Sequence, residues 1–129
     1  AGGKNITPSE IENHLKFSPY INDSVVIGYQ RKYLTALIII DEENVMEYAQ
    51  VQRVPFTTFA SLTRTKEINK LIEKEVETVN KNFARVETIK KFKLIDILLT
   101  TDDDEITPTG KLKRKFVSEK FKDLIDSMY

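Results

Sequence analysis

A tight turn followed at once by basic side chains is the stretch of this sequence best suited to chemistry. Thr107, Pro108, Thr109 and Gly110 are residue types typical of a type I turn, in which Pro108 fixes φ at the second position and Gly110 suits the fourth. The first side chain after the turn is that of Lys111. An ammonium group on a stiff mount can stabilise a phosphate or the negative charge of a transition state.

A simpler interpretation of Lys111 is that it keeps the protein surface hydrated, as most lysines in basic runs do. The turn is also not a P-loop, because no glycine stands five residues before the Gly110–Lys111 pair and Leu112 takes the place of Ser or Thr after the lysine.

A second candidate site lies at the start of the sequence, where Gly2 and Gly3 precede a helix N-terminus. Two residues without Cβ allow the backbone or phosphate of a ligand to approach closely. A frayed terminus explains the same residues equally well. The absence of an initiator Met leads us to expect a piece of a longer chain.

The helix after these glycines carries a complete start signal. Thr7 is the predicted N-cap, Pro8 occupies the first helical position and Glu10 closes a capping box. The helix is expected to bury Ile11 and Leu15 and to end before residue 18.

The remaining elements follow from the spacing of apolar residues. Residues 24–29, 34–40 and 92–99 are predicted strands, the first two joined as a hairpin through 30–33 and the second one central. Asp41 is expected to cap a helix over residues 42–52. Residues 56–63 are expected to form a short helix or a packed loop, and residues 100–113 a loop or a small β-hairpin. A helix of about five turns should bury Ile68, Leu71, Ile72, Val76, Val79 and Phe83, and a last one Val117, Phe121, Leu124, Ile125 and Met128. The predicted class is α+β, with a small three-stranded sheet flanked by helices.

The bulk composition narrows the class of protein. The 129 residues suit one domain, and 40% apolar with 31% charged residues are ordinary for a soluble globular protein. Twenty basic and twenty acidic residues cancel, so no net positive field points to nucleic acid. Without cysteine there is no disulfide, thiolate zinc site or thiol nucleophile, which is compatible with a cytoplasmic protein. No signal peptide or membrane span is predicted.

Several motifs, in order along nearly the whole chain, resemble one family. Residues 2–12 and 18–28 resemble the start of the C-terminal domain of AMP-forming acyl-CoA synthetases, and residues 105–114 resemble the lysine motif near that domain's end. Residues 85–92 and 111–129 resemble the long-chain fatty acid subgroup. These enzymes belong to the adenylate-forming superfamily, with firefly luciferase and peptide-synthetase adenylation domains.

The resemblance implies a function for both candidate sites. Residues 1–129 would form a single lid domain that rotates on a large N-terminal domain absent from this chain, with fatty acid, ATP, CoA and Mg²⁺ as reactants and cofactor of the full enzyme. Lys111 would be the catalytic adenylation lysine, supported by residues 107–110 and Arg114, while Gly2, Gly3 and Lys4 would line the CoA pantetheine channel. The isolated domain is expected to bind no cofactor and to be inactive. The expected location of the protein is the cytoplasm, or the periphery of a membrane.

Two other classes stay open from the residues alone. One is a stand-alone module that binds phosphates of nucleic acid or a membrane surface through a basic patch, although acidic residues 102–105 adjoin it and no aromatic residues are interleaved for base stacking. That patch comprises Lys111, Lys113, Arg114, Lys115, Lys120 and Lys122. The other class is a purely structural domain. The sole histidine, His14, is interpreted as a surface residue because no second histidine could complete a metal site.

Overall fold

A computed structural model describes residues 8–99 and 114–129. Within these ranges, helices precede, separate and follow the strands of one small sheet. In chain order the elements are α1 (Pro8–Leu15), β1 (Ile21–Ile27), β2 (Leu34–Ile40), α2 (Glu42–Val51), α3 (Phe59–Arg64), α4 (Lys66–Asn80), β3 (Ile89–Leu94), α5 (Arg114–Lys120) and α6 (Lys122–Asp126).

The sheet is mixed and has the order β1-β2-β3. β1 and β2 form the predicted antiparallel hairpin, while β3 runs parallel to β2 after a connection through α2, α3 and α4. A parallel neighbour requires such a crossover, because a short turn can join only antiparallel strands. β2 is therefore central and its residues 35–40 are all buried, as its nearly continuous apolar run predicted.

Two apolar clusters cover the two faces of the sheet. Successive β2 side chains alternate between them, because side chains of a strand point to opposite faces. The first cluster receives Ala36, Ile38 and Ile40 and packs against α1, α2, α3 and α4. The second receives Leu37 and Ile39 and packs against residues of α5 and α6, together with Ile95 and Met128.

Within residues 8–99 and 114–129, the predicted elements are confirmed in class and order, with four corrections. β1 spans Ile21–Ile27 instead of 24–29. β3 spans Ile89–Leu94 instead of 92–99. At an edge, the exposed lysines at 90, 91 and 93 are compatible with a strand, so the apolar run alone placed it wrongly.

The other two corrections concern helices. α4 ends at Asn80, about four turns long, so Phe83 lies beyond it and is only partly buried. The single predicted C-terminal helix is two short ones that meet at Phe121, whose φ of −107° and ψ of 26° are not helical. None of the helices in the described ranges is long and apolar enough to cross a bilayer.

Candidate functional site

Most residues of the two candidate sites fall outside the part of the chain that the structure describes. Lys111 and its turn, residues 107–110, lie in the range 100–113, and Gly2, Gly3 and Lys4 lie in the range 1–7. What the structure does describe is the element that follows each segment. Helix α1 begins at Pro8 and helix α5 begins at Arg114.

Side chains from these two helices meet at the open edge of β1. The Glu12 Oε2 atom accepts a hydrogen bond of 2.8 Å from the Val26 N–H and also pairs with Arg114 Nη2. The other guanidinium nitrogen, Nη1, donates to the Val26 carbonyl at 2.6 Å. Glu12, Val26 and Arg114 thus form a closed set of contacts, the edge network.

The edge network replaces a neighbouring strand. In an antiparallel ladder, alternate residues direct both backbone groups toward the partner strand and the others direct both outward. Val26 stands opposite Ala36 of β2, and its N–H and carbonyl bond to Glu12 and Arg114. The two side chains therefore satisfy backbone groups that an edge strand would otherwise leave open.

The two helices are held to the rest of the fold unequally. α1 buries Ile11 and Leu15, which are 1% and 0% exposed, and a further ion pair of 3.9 Å joins Lys16 to Asp23. α5 buries a single residue, Val117. Arg114 adds contacts to Glu12 and to the Val26 carbonyl, and Glu12, with 15% of its side chain exposed, is the more sheltered partner.

A small polar cavity of about 180 Å³ adjoins the edge network between α1, β1 and α5. Besides Glu12 and Arg114 it is lined by Lys16, Asp23 and Ser24. The Ser24 hydroxyl is buried and makes no hydrogen bond. Two cations and two carboxylates balance here, so the cavity carries no excess charge that would select an anion.

A larger open groove of about 940 Å³ between α4 and β3 was not anticipated from the sequence. Its polar lining combines lysines of both elements with Glu73 and Glu77 of α4. The lysines at positions 90, 91 and 93 were the available signal, but the first two entered the prediction only through the resemblance of residues 85–92, and the third only as part of a predicted strand. The Lys90 ammonium already bonds to the Arg85 carbonyl at 2.8 Å.

The predicted basic patch is discontinuous in its described part. Arg114 is engaged by Glu12, and the exposed Lys115 and Lys122 alternate with exposed Glu119 and Asp123. The patch residues Lys111 and Lys113 lie outside the described residues. These contacts do not favour a binding module for extended polyanions.

His14 is partly buried, and its ring lies edge-on to those of Phe17 and Phe83, at 5.6 and 5.0 Å between centroids. Within residues 8–99 and 114–129, no group of three or more His, Cys, Asp or Glu side chains could hold a metal ion.

Comparison with known proteins places these observations in a family. The family model described as AMP-binding enzyme C-terminal domain matches residues 1–129. The chain is 34% identical over 130 residues to the long-chain-fatty-acid–CoA ligase FadD15 of Mycobacterium tuberculosis, covering 100% of this chain and 22% of that protein. It is 33% identical over 147 residues to the long-chain-fatty-acid–CoA ligase ACSBG1 of Homo sapiens, covering 100% and 20%. The chain therefore spans about a fifth of the length of these relatives.

The fold is similar to that of a solved adenylation enzyme. The A-PCP didomain of carboxylic acid reductase from Segniliparus rugosus in complex with AMP superposes with a TM-score of 0.70, at 16% identity, over 96% of this chain and 16% of that one. The α+β architecture, with its mixed three-stranded sheet, is thus shared with that structure.

Proposed function

Because the chain belongs to the family of AMP-binding enzyme C-terminal domains, we propose that it serves as the mobile lid of a long-chain fatty acid:CoA ligase. Two relatives named as such ligases, matched over the whole chain, support the substrate class. The large domain that would hold ATP and fatty acid is then its partner. The lid works in two half-reactions and presents a different motif in each.

In the first half-reaction, Lys111 acts on the adenylation step. A fatty acid carboxylate oxygen attacks the α-phosphorus of ATP, the bond to the bridging oxygen breaks, and pyrophosphate leaves. Negative charge grows on the transferring phosphate, where an ammonium stabilises the transition state more than the ground state. A mobile mount allows the charge to be withdrawn before the second step. Mg²⁺, when bound with ATP, would neutralise phosphate charge; no described cluster here would hold it.

In the second half-reaction, the thiol sulfur of CoA attacks the acyl carbon and AMP leaves, while the thiol proton passes to solvent. The pantetheine arm needs a narrow slot beside the backbone, which Gly2 and Gly3 would provide because they carry no Cβ, with Lys4 next to them.

The edge network is the observation that carries this proposal. Lys111 precedes Arg114 by three residues, so their Cα atoms are at most about 11 Å apart in any chain conformation. Arg114 contacts Glu12 of the helix that follows Gly2 and Gly3. The described helices that follow the two motif segments are therefore joined at one sheet edge, which supports a common mount for both motifs.

Substitution of Lys111 tests the proposal in a fusion in which this chain replaces the matching C-terminal fifth of FadD15. Lys111→Ala should lower acyl-AMP formation, followed as ATP–pyrophosphate exchange, by about 10²- to 10³-fold, because a charge-stabilising group is lost. Thioester formation from supplied acyl-adenylate should change less than about threefold, because Lys111 has no part in that step.

Lys115→Ala is the matched control, since this exposed lysine lies four residues further along the chain. It should leave both half-reactions unchanged. A folded fusion that forms no acyl-CoA with Lys111 intact, or equal losses in both half-reactions for Lys111→Ala, would contradict the proposed function.

A further inference from the structure

We infer that Arg114 and Glu12 are positioning residues for adenylation, acting through the edge network on the segment that carries Lys111. The inference rests on the proposed function, because it assumes that Lys111 acts on the nucleotide. Neither residue is expected to touch substrate.

The contacts of Arg114 fix the orientation of its side chain. The guanidinium group is held by a carboxylate and a backbone carbonyl at once, through two different nitrogens. A charge-assisted contact of this kind fixes orientation as well as distance, which a single point charge cannot do.

The sheet edge supplies a rigid reference for this contact. Val26 is 1% exposed and pairs with β2, the central strand. On the side of Val26 that faces away from β2, Glu12 accepts a hydrogen bond from the Val26 N–H. Arg114 is therefore fixed relative to the core of the fold, and Lys111 is covalently connected to it through only two intervening residues.

The unequal anchoring of the helices predicts which half-reaction suffers when the edge network is broken. α1, which follows Gly3, keeps its core contacts through Ile11 and Leu15. α5, which follows Lys111, contains one buried residue, Val117. Loss of the network should therefore displace the lysine segment more than the glycine segment.

The test is Arg114→Gln in the same fusion protein. The kcat of acyl-AMP formation should fall about 10- to 100-fold, because displacements near 1 Å cost rates of this order. The KM for ATP should stay within about twofold, since ATP is held by the large domain. Thioester formation from supplied acyl-adenylate should fall less than about threefold. Arg114→Lys keeps the positive charge but cannot contact Glu12 and the Val26 carbonyl through two separate nitrogens. It should give a smaller fall in the kcat of acyl-AMP formation.

Arg64→Gln is the control for loss of an arginine ion pair as such. Arg64 pairs with Asp96 at 2.9 Å, away from the edge network. This variant should leave both half-reactions unchanged. In the 129-residue chain, amide exchange of Val26 should accelerate in Glu12→Ala but not in Arg64→Gln, because only the former frees the Val26 N–H.

The outcomes separate the inference from the function on which it rests. If Lys111→Ala leaves acyl-AMP formation intact, the proposed function fails. If Lys111→Ala abolishes it while Arg114→Gln behaves like Arg64→Gln, or lowers both half-reactions equally, the positioning role alone is overturned.

Discussion

At the scale of single residues, the proposed lid depends on the positive charge of one side chain and on the absence of a side chain at another position. In the proposed function, Lys111 would contribute a cation to one half-reaction, and Gly3 would contribute space to the other. Both lie outside the described residues, so their roles depend on chemistry and family membership together. The two roles differ physically, and substitutions should therefore separate them.

Enlarging Gly3 should impair the second half-reaction selectively. We expect Gly3→Val in the FadD15 fusion to slow thioester formation from supplied acyl-adenylate by about tenfold or more, because a branched side chain would obstruct the pantetheine slot. Acyl-AMP formation should remain within about threefold. Gly3→Ala, which adds one methyl group, should give an intermediate loss. A greater loss of adenylation than of thioester formation would contradict the channel assignment.

At the scale of elements, local sequence signals predicted those segments whose contacts are local. The bounds of β2 were predicted as observed, and Asp41 caps α2 through a bond from the Asn44 N–H, as its residue type indicated. Ile11 and Leu15 are buried on α1 as predicted, whereas the Thr7 cap lies outside the described residues.

Elements fixed by distant contacts were predicted less well. β3 begins at Ile89 because its backbone is held by Asn80 of α4, a contact that no apolar pattern encodes. The edge network could not be predicted from the sequence for the same reason, because Glu12 and Arg114 are separated by almost the whole length of the chain. Arg114 was predicted as a site residue because it belongs to a motif. Its partner Glu12 could not be predicted, because no local sequence signal distinguishes it from the other acidic residues.

The contact between α4 and β3 should contribute measurably to stability. Asn80 Oδ1 accepts from the Ile89 N–H at 2.9 Å, and Nδ2 donates to the Ile89 carbonyl at 3.1 Å. Asn80→Ala should lower the free energy of unfolding by about 1–3 kcal/mol, because two part-buried hydrogen bonds are lost at a sheet edge. Urea unfolding of the 129-residue chain measures the change.

Asn82→Ala is the control for this contact. Its side chain makes only an exposed bond of 3.5 Å to the Thr78 carbonyl, so the change should stay within about 0.5 kcal/mol. Equal unfolding midpoints for the two variants would show that the Asn80 contact does not hold β3.

At the scale of the whole molecule, one strand couples the two faces of the sheet. β2 sends Ile38 into the first cluster and Leu37 into the second, and both side chains are fully buried. Tyr129 adds a polar link, since its hydroxyl donates to the Tyr33 carbonyl at 2.8 Å and lies 3.0 Å from the Thr35 hydroxyl. The helices that follow the lysine segment thus depend on the same strand as the helices on the other face.

This coupling predicts that the 129-residue chain unfolds in one transition, as small domains usually do. Ile72→Ala in the first cluster and Ile125→Ala in the second should each lower the free energy of unfolding by about 2–5 kcal/mol, because each opens a cavity in a closed core. Native amide signals from α4 and from α6, followed by NMR against urea, should disappear at one midpoint in each variant.

The exposed positions next to these residues supply the controls for the unfolding experiment. Glu73→Ala and Lys122→Ala should shift the midpoint little, because neither side chain is buried. If the α6 signals of Ile125→Ala were lost at lower urea than those of α4, α5 and α6 would form an independently unfolding unit. Arg114 would then be mounted on a part of the lid that can detach, and a rigid reference for Lys111 would have to come from the large domain instead of β2.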